Sequence, residues 1–138
     1  MTNSNYKIKD KDGKKGLIRI IDNVLIIPFI YEKIEFIGLQ FLRAELGNKV
    51  FVVNLSNEIV LEMIMDITSE KWNLILFSHG NKTYKMFGTE ECDDYFSIYF
   101  ELFNNKNEKI KKKFLIVTFQ ENQVNYTSVT KSKLPPFF

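Results

Sequence analysis

The chain of 138 residues is long enough for one domain with its own apolar core, and its formal net charge is +2. Such a small net charge gives no general reason to expect binding to nucleic acid or to a membrane. Cys92 is the only cysteine, which excludes an intrachain disulfide and suits a reducing compartment. Residues 1–15 are polar and lack the apolar stretch of a secretion signal, so we expect a single cytoplasmic domain over residues 1–138.

The predicted elements are almost all β-strands, because aromatic and β-branched residues are abundant and alternate with polar ones. A first strand that alternates lysine with apolar residues leads into a turn at 10–13 and a returning strand at 15–21. After a turn at 22–23, a buried strand at 24–27 is expected to end at Pro28, since proline cannot donate a backbone hydrogen bond. These elements predict a mainly β, antiparallel fold.

Two stretches of the sequence repeat each other without gaps: residues 15–33 match residues 49–67 at a distance of 34 positions. Nine positions are apolar in both copies: Leu17/Phe51, Ile18/Val52, Ile21/Leu55, Leu25/Ile59, Ile26/Val60, Ile27/Leu61, Phe29/Met63, Ile30/Ile64 and Tyr31/Met65. A weaker third copy covers 72–87, where the Gly-Asn-Lys of 47–49 recurs at 80–82. Such a period is typical of supersecondary units that bury a face by packing on their neighbours.

The segment 90–103 is compatible with two structures. Its apolar residues lie on one face of a helix, but from Phe96 onward they also alternate as in a strand. The turn-forming residues at 104–107 and the β-rich stretch after them favour a strand that pairs with 111–119, within a C-terminal meander over 95–130. The alternative is a helix at 90–103, which would make the fold α+β.

The first copy resembles a WG repeat. Gly-Lys-Lys-Gly-Leu-Ile at 13–18 is similar to the start of that unit, and Ile-Ile-Pro at 26–28 with Tyr-Glu-Lys-Ile at 31–34 is similar to its end. Lys15 stands where the signature tryptophan is expected. The resemblance covers residues 6–67 and, weakly, the third copy. It implies β-rich units without catalytic residues, of a kind found in bacterial proteins and in small proteins that neutralise bacterial toxins.

The residues offer no obvious catalytic set. His79, the only histidine, lies in a turn with no acid beside it to orient it as a base. The acids around Cys92 disfavour a thiolate nucleophile. The acidic run at 90–94 lacks the alternating spacing and internal glycine of a calcium loop. We therefore expect a protein that is not an enzyme and has no metal or cofactor, while a site assembled from distant Asp, Glu and Tyr residues stays open.

The sequence and the resemblance together predict a protein-binding module, most specifically a bacterial immunity protein that neutralises a cognate toxin. Carboxylates beside an aromatic ring offer an anchor with charge steering, so the expected partner-binding residues are Glu90, Glu91, Asp93, Asp94 and Tyr95. The alternative is a nucleic-acid-binding protein that uses the Lys109–Lys113 face, where Lys109, Lys111 and Lys113 would share one side of a strand.

Overall fold

The computed structural model describes residues 3–66, 74–92, 94–103, 113–121 and 123–129. Across these residues the chain is all β, with no helix, and forms antiparallel sheets of three and nine strands in which chain neighbours pair in order. The strands are β1 (Tyr6–Lys11), β2 (Lys14–Arg19), β3 (Val24–Tyr31), β4 (Lys33–Phe36), β5 (Phe41–Leu46), β6 (Lys49–Asn54), β7 (Ile59–Asp66), β8 (Leu74–His79), β9 (Lys82–Glu91), β10 (Tyr95–Leu102), β11 (Phe114–Gln120) and β12 (Gln123–Val129). The predicted mainly β, antiparallel fold is confirmed.

The chain forms two compact units, one up to Met63 and the other from Ile64 onward. The first unit contains β1 to β6, the second contains β8 to β12, and the boundary falls within β7. The single domain expected over residues 1–138 stays a prediction, and each unit is described by itself below.

The two sequence copies have matching strands and turns. Strands β2 and β3 have six and eight residues, as do β6 and β7. Asn23 and Asn57 occupy the intervening turns with φ angles of 57° and 60°, a left-handed conformation that asparagine tolerates better than most residues. Leu17 and Phe51 both lie in the buried core of the first unit. Of the nine apolar pairs, Leu17/Phe51 and Ile27/Leu61 are buried in both copies, whereas Leu25/Ile59 and Ile30/Ile64 are exposed in both.

In each copy the first strand of the pair is preceded by a hairpin, and the loop of this hairpin lies one position later in the second copy than the repeat spacing of 34 predicts. Its two-residue loop is Asp-Gly in the first copy and Gly-Asn in the second. Ile8 lies opposite Leu17, whereas Ala44 lies opposite Phe51, so the opposing strand has moved by two positions relative to the repeat spacing. Because side chains alternate between faces with a period of two, this shift keeps the same face turned to the core.

Strand β3 continues through Pro28 to Tyr31, so the predicted buried strand at 24–27 is too short. Val24 and Leu25, expected to be buried, are 42% and 47% exposed. Among the described strands, β3 is at the edge of its sheet and pairs only with β2. An edge strand tolerates proline because the missing N–H removes no hydrogen bond from the ladder, and breaks in the register with β2 accompany it.

In the second unit, the end of β7 pairs with β8, and β8 forms a hairpin with β9. Gly80 and Asn81 form its two-residue loop with φ angles of 58° and 62°. Phe77 and Tyr84 face each other across the hairpin, at the same distance from the turn as the apolar pair of the second copy, and both are buried. The described part of the weak third copy, 72–87, is therefore a hairpin with the same apolar pairing.

The C-terminal strands form the predicted meander, with β10 paired to β11 and β11 paired to β12. Phe96 lies opposite Phe119, which confirms the strand, and the alternative helix at 90–103 is wrong. Residues 96–100 are all buried, so β10 is covered on both faces, with Phe96, Ile98 and Phe100 on one face and Ser97 and Tyr99 on the other. The predicted turn at 104–107 lies outside the described residues.

The sheet of the second unit curls strongly. His79 of β8 stacks on Tyr126 of β12, with ring centroids 4.7 Å apart and planes 8° apart. Phe77 stacks on both rings and also lies 5.0 Å from the ring of Phe100. Strands β8 and β12 are the first and last of five neighbouring strands. In a flat sheet these two strands would be separated by roughly 19 Å. Side-chain stacking across that span requires pronounced twist and coiling.

Candidate functional site

One face of the three-stranded sheet is lined with lysines. The register of β1 and β2 places three pairs on this face: Lys7 with Ile18, Lys9 with Gly16, and Lys11 with Lys14. Directly opposed residues of antiparallel strands project to the same side, so the four lysine side chains share it. All four are exposed, and β1 and β2, which are fully described, carry no carboxylate on that side.

An apolar centre lies among these lysines. The ring of Phe29 packs over Gly16 so closely that a Cβ added there would be 2.9 Å from the ring and 2.8 Å from the carbonyl oxygen of Ile27. The Nζ atom of Lys11 lies 5.9 Å from the centroid of the same ring. Leu25 is opposite Ile18 and adds a half-exposed aliphatic side chain. We call this surface the lysine face and define it by Lys7, Lys9, Lys11, Lys14, Ile18, Leu25 and Phe29.

The hairpin between β2 and β3 ends in a second apolar surface, here called the apolar tip. Its members are all large aliphatic residues: Ile20, 55% exposed, Ile21, 90%, Val24, 42%, and Leu25, 47%. Single exposed apolar residues are ordinary on protein surfaces, but clusters of them mark interaction sites. Leu25 belongs to both surfaces, so the apolar tip is continuous with the lysine face.

An ion pair holds the loop of the apolar tip. The Nε and Nη2 atoms of Arg19 donate to Oδ1 and Oδ2 of Asp22 at 2.9 and 2.6 Å, a two-pronged contact that fixes both side chains. This hydrogen bonding raises the pKa of Arg19 and lowers the pKa of the Asp22 carboxyl. Both groups are solvent-exposed, so their contribution to stability is small. Their effect is to order a short loop that presents Ile21.

The one acid of β1, Asp10, points away from the lysine face. Asp10 lies opposite Lys15 on the inner side of the sheet and forms an ion pair with it at 2.5 Å. The hydrogen bond from Lys15, and then that from the backbone of Gly13, lower the pKa of the Asp10 carboxyl. Asp10 and Asp22 therefore have partners elsewhere, and Asp12 lies in the turn between Lys11 and Lys14, so the lysines outnumber the carboxylates near this face.

The predicted acidic surface has a different chemistry. Glu90 of β9 accepts a hydrogen bond from the hydroxyl of Tyr95 at 3.1 Å and from that of Tyr99 at 2.6 Å. The thiol of Cys92 lies 3.9 Å from the same carboxylate. Hydrogen bonds to Cys92 and Glu90 raise the pKa of Tyr95, while burial and then the bond to Glu90 raise the pKa of Tyr99. We call this group of four residues the Glu90 cluster.

Only part of the acidic surface faces solvent. Glu91 and Asp94 are exposed, Glu90 and Tyr95 are half-buried and bonded to each other, and Asp93 lies outside the described residues. The assignment of a partner to these five residues stays a prediction. The structure engages the Glu90 carboxylate within the chain, and it gives that residue a role in holding the hairpin of β9 and β10 together.

The remaining residues of chemical interest do not converge. His79 stacks against Phe77 and Tyr126, and Cys92 belongs to the Glu90 cluster. In the part of the chain that the structure describes, no group of three His, Cys, Asp or Glu residues could hold a metal ion. Of the predicted basic row, Lys113 is exposed, whereas Lys109 and Lys111 lie outside the described ranges.

Sequence reasoning missed the lysine face, although one signal was present. Lysine occupies alternate positions 7, 9 and 11, which places three cations on one side of a strand. The contribution of Lys14 needed the hairpin register, and that of Phe29 needed the break in register between β2 and β3. Neither the hairpin register nor the break in register can be predicted from hydrophobic alternation alone.

The fold and the site together define an all-β protein whose N-terminal sheet carries an exposed face of lysines and apolar side chains. Comparison of the chain with protein-family models, with curated proteins and with solved structures found no match. Within the residues that the structure describes, none of the elements is a helix with the length and apolar character needed to cross a membrane.

Proposed function

We propose that this chain is a non-enzymatic protein-binding module and, more specifically, an immunity protein that binds and neutralises a bacterial toxin. The observation that carries the proposal is the apolar tip. Its four aliphatic residues are between 42% and 90% exposed on one short hairpin. Removing apolar surface from water gains about 25 cal/mol per Å², so covering these side chains favours association with a protein.

The loop that carries the apolar tip suits it to act as an anchor. Binding costs less when the contacting groups are ordered beforehand, because fewer rotations are lost on association. The two-pronged contact between Arg19 and Asp22, together with the left-handed turn at Asn23, orders this loop. Ile21, 90% exposed, is therefore the residue from which we expect the largest loss of binding energy when it is changed.

The choice of a toxin as the partner rests on the resemblance of residues 6–67 to WG repeats, some of which occur in small toxin-neutralising proteins. A protein that acts by covering its partner needs a surface and no reacting groups. The apolar tip provides such a surface. The proposal assigns no role in chemistry to His79 or Cys92, so alanine at either position should leave the protective function intact.

A protection assay tests the proposal. Cells that express each candidate toxin encoded beside the gene for this chain are supplied with the wild-type protein, with Ile21→Asp or with Ile59→Asp. Ile59 is the matched control because it is 53% exposed and lies in β7, outside the β2–β3 hairpin that carries the apolar tip. We expect survival with the wild type and Ile59→Asp and loss of survival with Ile21→Asp. Circular dichroism checks that each variant is folded, and equal survival with all three proteins would contradict the proposal.

A further inference from the structure

Building on the proposed function, we propose that the lysine face selects an acidic protein partner. An extended segment of that partner lies across the face. Its apolar side chains cover Ile18, Leu25 and Phe29, and its carboxylates bind Lys7, Lys9 and Lys14. The apolar tip supplies the anchor, and the lysine face determines which partner is accepted.

The spacing of the cations fits such a segment. Alternate residues of a β-strand are about 7 Å apart, so Lys7, Lys9 and Lys11 form a regular row along β1. A partner segment in extended conformation places its own alternate side chains at the same interval. Two carboxylates at alternate positions of the segment therefore match the spacing of Lys7 and Lys9.

The charge of this face has no counterpart within its own strands. Asp10 forms an ion pair with Lys15 on the opposite side of the sheet. Asp22 forms an ion pair with Arg19 in the loop between β2 and β3. Lys11 is placed over the ring of Phe29. Complementary charge on a partner steers the encounter, and like charge repels the wrong partner, so a face of one sign confers specificity.

The apolar part of the surface favours protein over nucleic acid. Proteins that hold nucleic acid without sequence preference stack bases on exposed aromatic rings and track phosphates with a basic groove. Here the most exposed apolar side chains are aliphatic, Ile21 and Leu25 among them, and the ring of Phe29 is packed on Gly16. The only arginine of these strands is bonded to Asp22. Aliphatic anchors beside lysines match an amphipathic acidic peptide.

A second copy of the chain is a poorer occupant than a different protein. The exposed acids of the other unit, Glu91 and Asp94, could meet the lysine face of a neighbouring copy. Such a contact joins unlike surfaces and extends into open chains of molecules unless the rotation closes a ring. We therefore assign the face to a different protein, and self-association is one of the outcomes that would overturn this assignment.

The test is a selection from a random-peptide display library on the immobilised full chain, followed by affinity measurement of the enriched peptides at about 0.05 M and about 0.5 M salt. We expect enrichment of peptides that combine Asp or Glu with apolar residues, and weaker binding at the higher salt. The double variant Lys7→Glu with Lys9→Glu should bind these peptides about tenfold less tightly or worse. Lys82→Glu with Lys113→Glu, which makes the same change in net charge at exposed lysines of the other unit, should bind like the wild type.

Four results would overturn the inference: enriched peptides without an acidic excess, equal binding by both double variants, tighter binding of a single-stranded or duplex oligonucleotide than of any peptide, or self-association that the Lys7 and Lys9 changes abolish. The protection assay and the peptide-binding assay distinguish failure of the toxin proposal from failure of the lysine-face proposal. Lost protection with retained acidic-peptide binding removes the toxin partner alone. Protection that needs Ile21 but survives charge reversal at Lys7 and Lys9 removes the lysine face alone.

Discussion

The lysine face and the Glu90 cluster are both rich in charged or polar groups, yet the structure uses them in opposite ways. The carboxylate of Glu90 accepts hydrogen bonds from two tyrosine hydroxyls and ties neighbouring parts of a hairpin together. The four lysines project to solvent from two strands that offer them no carboxylate on that side. A charged group with partners inside the chain stabilises the fold, and one without them is available to another molecule. The number of charges in a segment does not distinguish the two cases.

The packing under the lysine face gives the largest expected effect. Gly16→Ala should lower the free energy of unfolding by about 2–3 kcal/mol, because the added methyl group meets both the ring of Phe29 and the backbone oxygen of Ile27. Urea denaturation measures the change. Lys14→Ala, two positions away and exposed, is the control and should change it by about 0.5 kcal/mol or less. A Gly16→Ala protein as stable as the wild type would show that Phe29 is not packed over this glycine.

The Glu90 cluster should show a smaller loss. Glu90→Ala removes the acceptor of two tyrosine hydroxyls and should cost about 2 kcal/mol, since two hydrogen bonds to a charged group are lost. Thermal and urea unfolding measure it. Glu91→Ala changes the exposed neighbour and should have an effect within about 0.5 kcal/mol. Equal effects of the two changes would mean that Glu90 is solvated, as the lysines of the lysine face are, and that it does not stabilise the fold.

The pH dependence of stability sharpens the same comparison. The pKa of Tyr99 is raised in the folded protein above its ordinary value of 10.0, chiefly by burial and then by Glu90. Above pH 10 the unfolded chain therefore loses a proton that the folded chain keeps, and stability falls as pH rises, by at most about 1.4 kcal/mol per pH unit from this group. Tyr99→Phe should make the fall shallower. Tyr6→Phe, at a half-buried tyrosine of the first unit, is the control, and a steeper or unchanged slope in Tyr99→Phe would show that folding does not raise the pKa of Tyr99.

The smallest effect is expected at the lysine face itself. Lys7→Ala and Lys9→Ala should each change the free energy of unfolding by about 0.5 kcal/mol or less, because exposed side chains without ion pairs contribute little to folding. The same substitutions should weaken binding of acidic peptides. Urea denaturation and peptide affinity measured on the same samples separate the two properties. A large loss of stability would mean that these lysines are structural and that the contrast with Glu90 is wrong.

The sequence repeat predicted much of the first unit. Its apolar pairs correctly placed Leu17 and Phe51 on the core face and the turns at Asn23 and Asn57. The end of β3 was wrong because Pro28 was taken as a terminator, while at the edge of a sheet it removes no ladder hydrogen bond. Edge and interior positions differ only in their tertiary surroundings, so local sequence could not distinguish them.

The candidate site was harder to predict than the fold. The acidic run at 90–94 stood out in the sequence, but Tyr99, which occupies one side of the Glu90 carboxylate, comes from farther along β10. The lysine face combines residues from three strands, and its centre depends on the close approach of Phe29 to Gly16. Which charges find partners inside a chain depends on register, and register was the feature least visible in one sequence.

The one-position difference between the hairpin loops of the two copies has an implication for how such a chain can change over generations. Ile8 faces Leu17 and Ala44 faces Phe51 although the opposing strand has moved by two positions. A shift in strand register by an even number of residues keeps the same side chains facing the core. Mutations can therefore change a loop or the length of a strand without exposing core residues. Two such similar units can thus differ in their loops and strand lengths and still have the same arrangement of core-facing residues. The row of lysines on β1 has no counterpart in β5 (Phe41–Leu46), where the corresponding positions hold Arg43 and Glu45, which form an ion pair with each other.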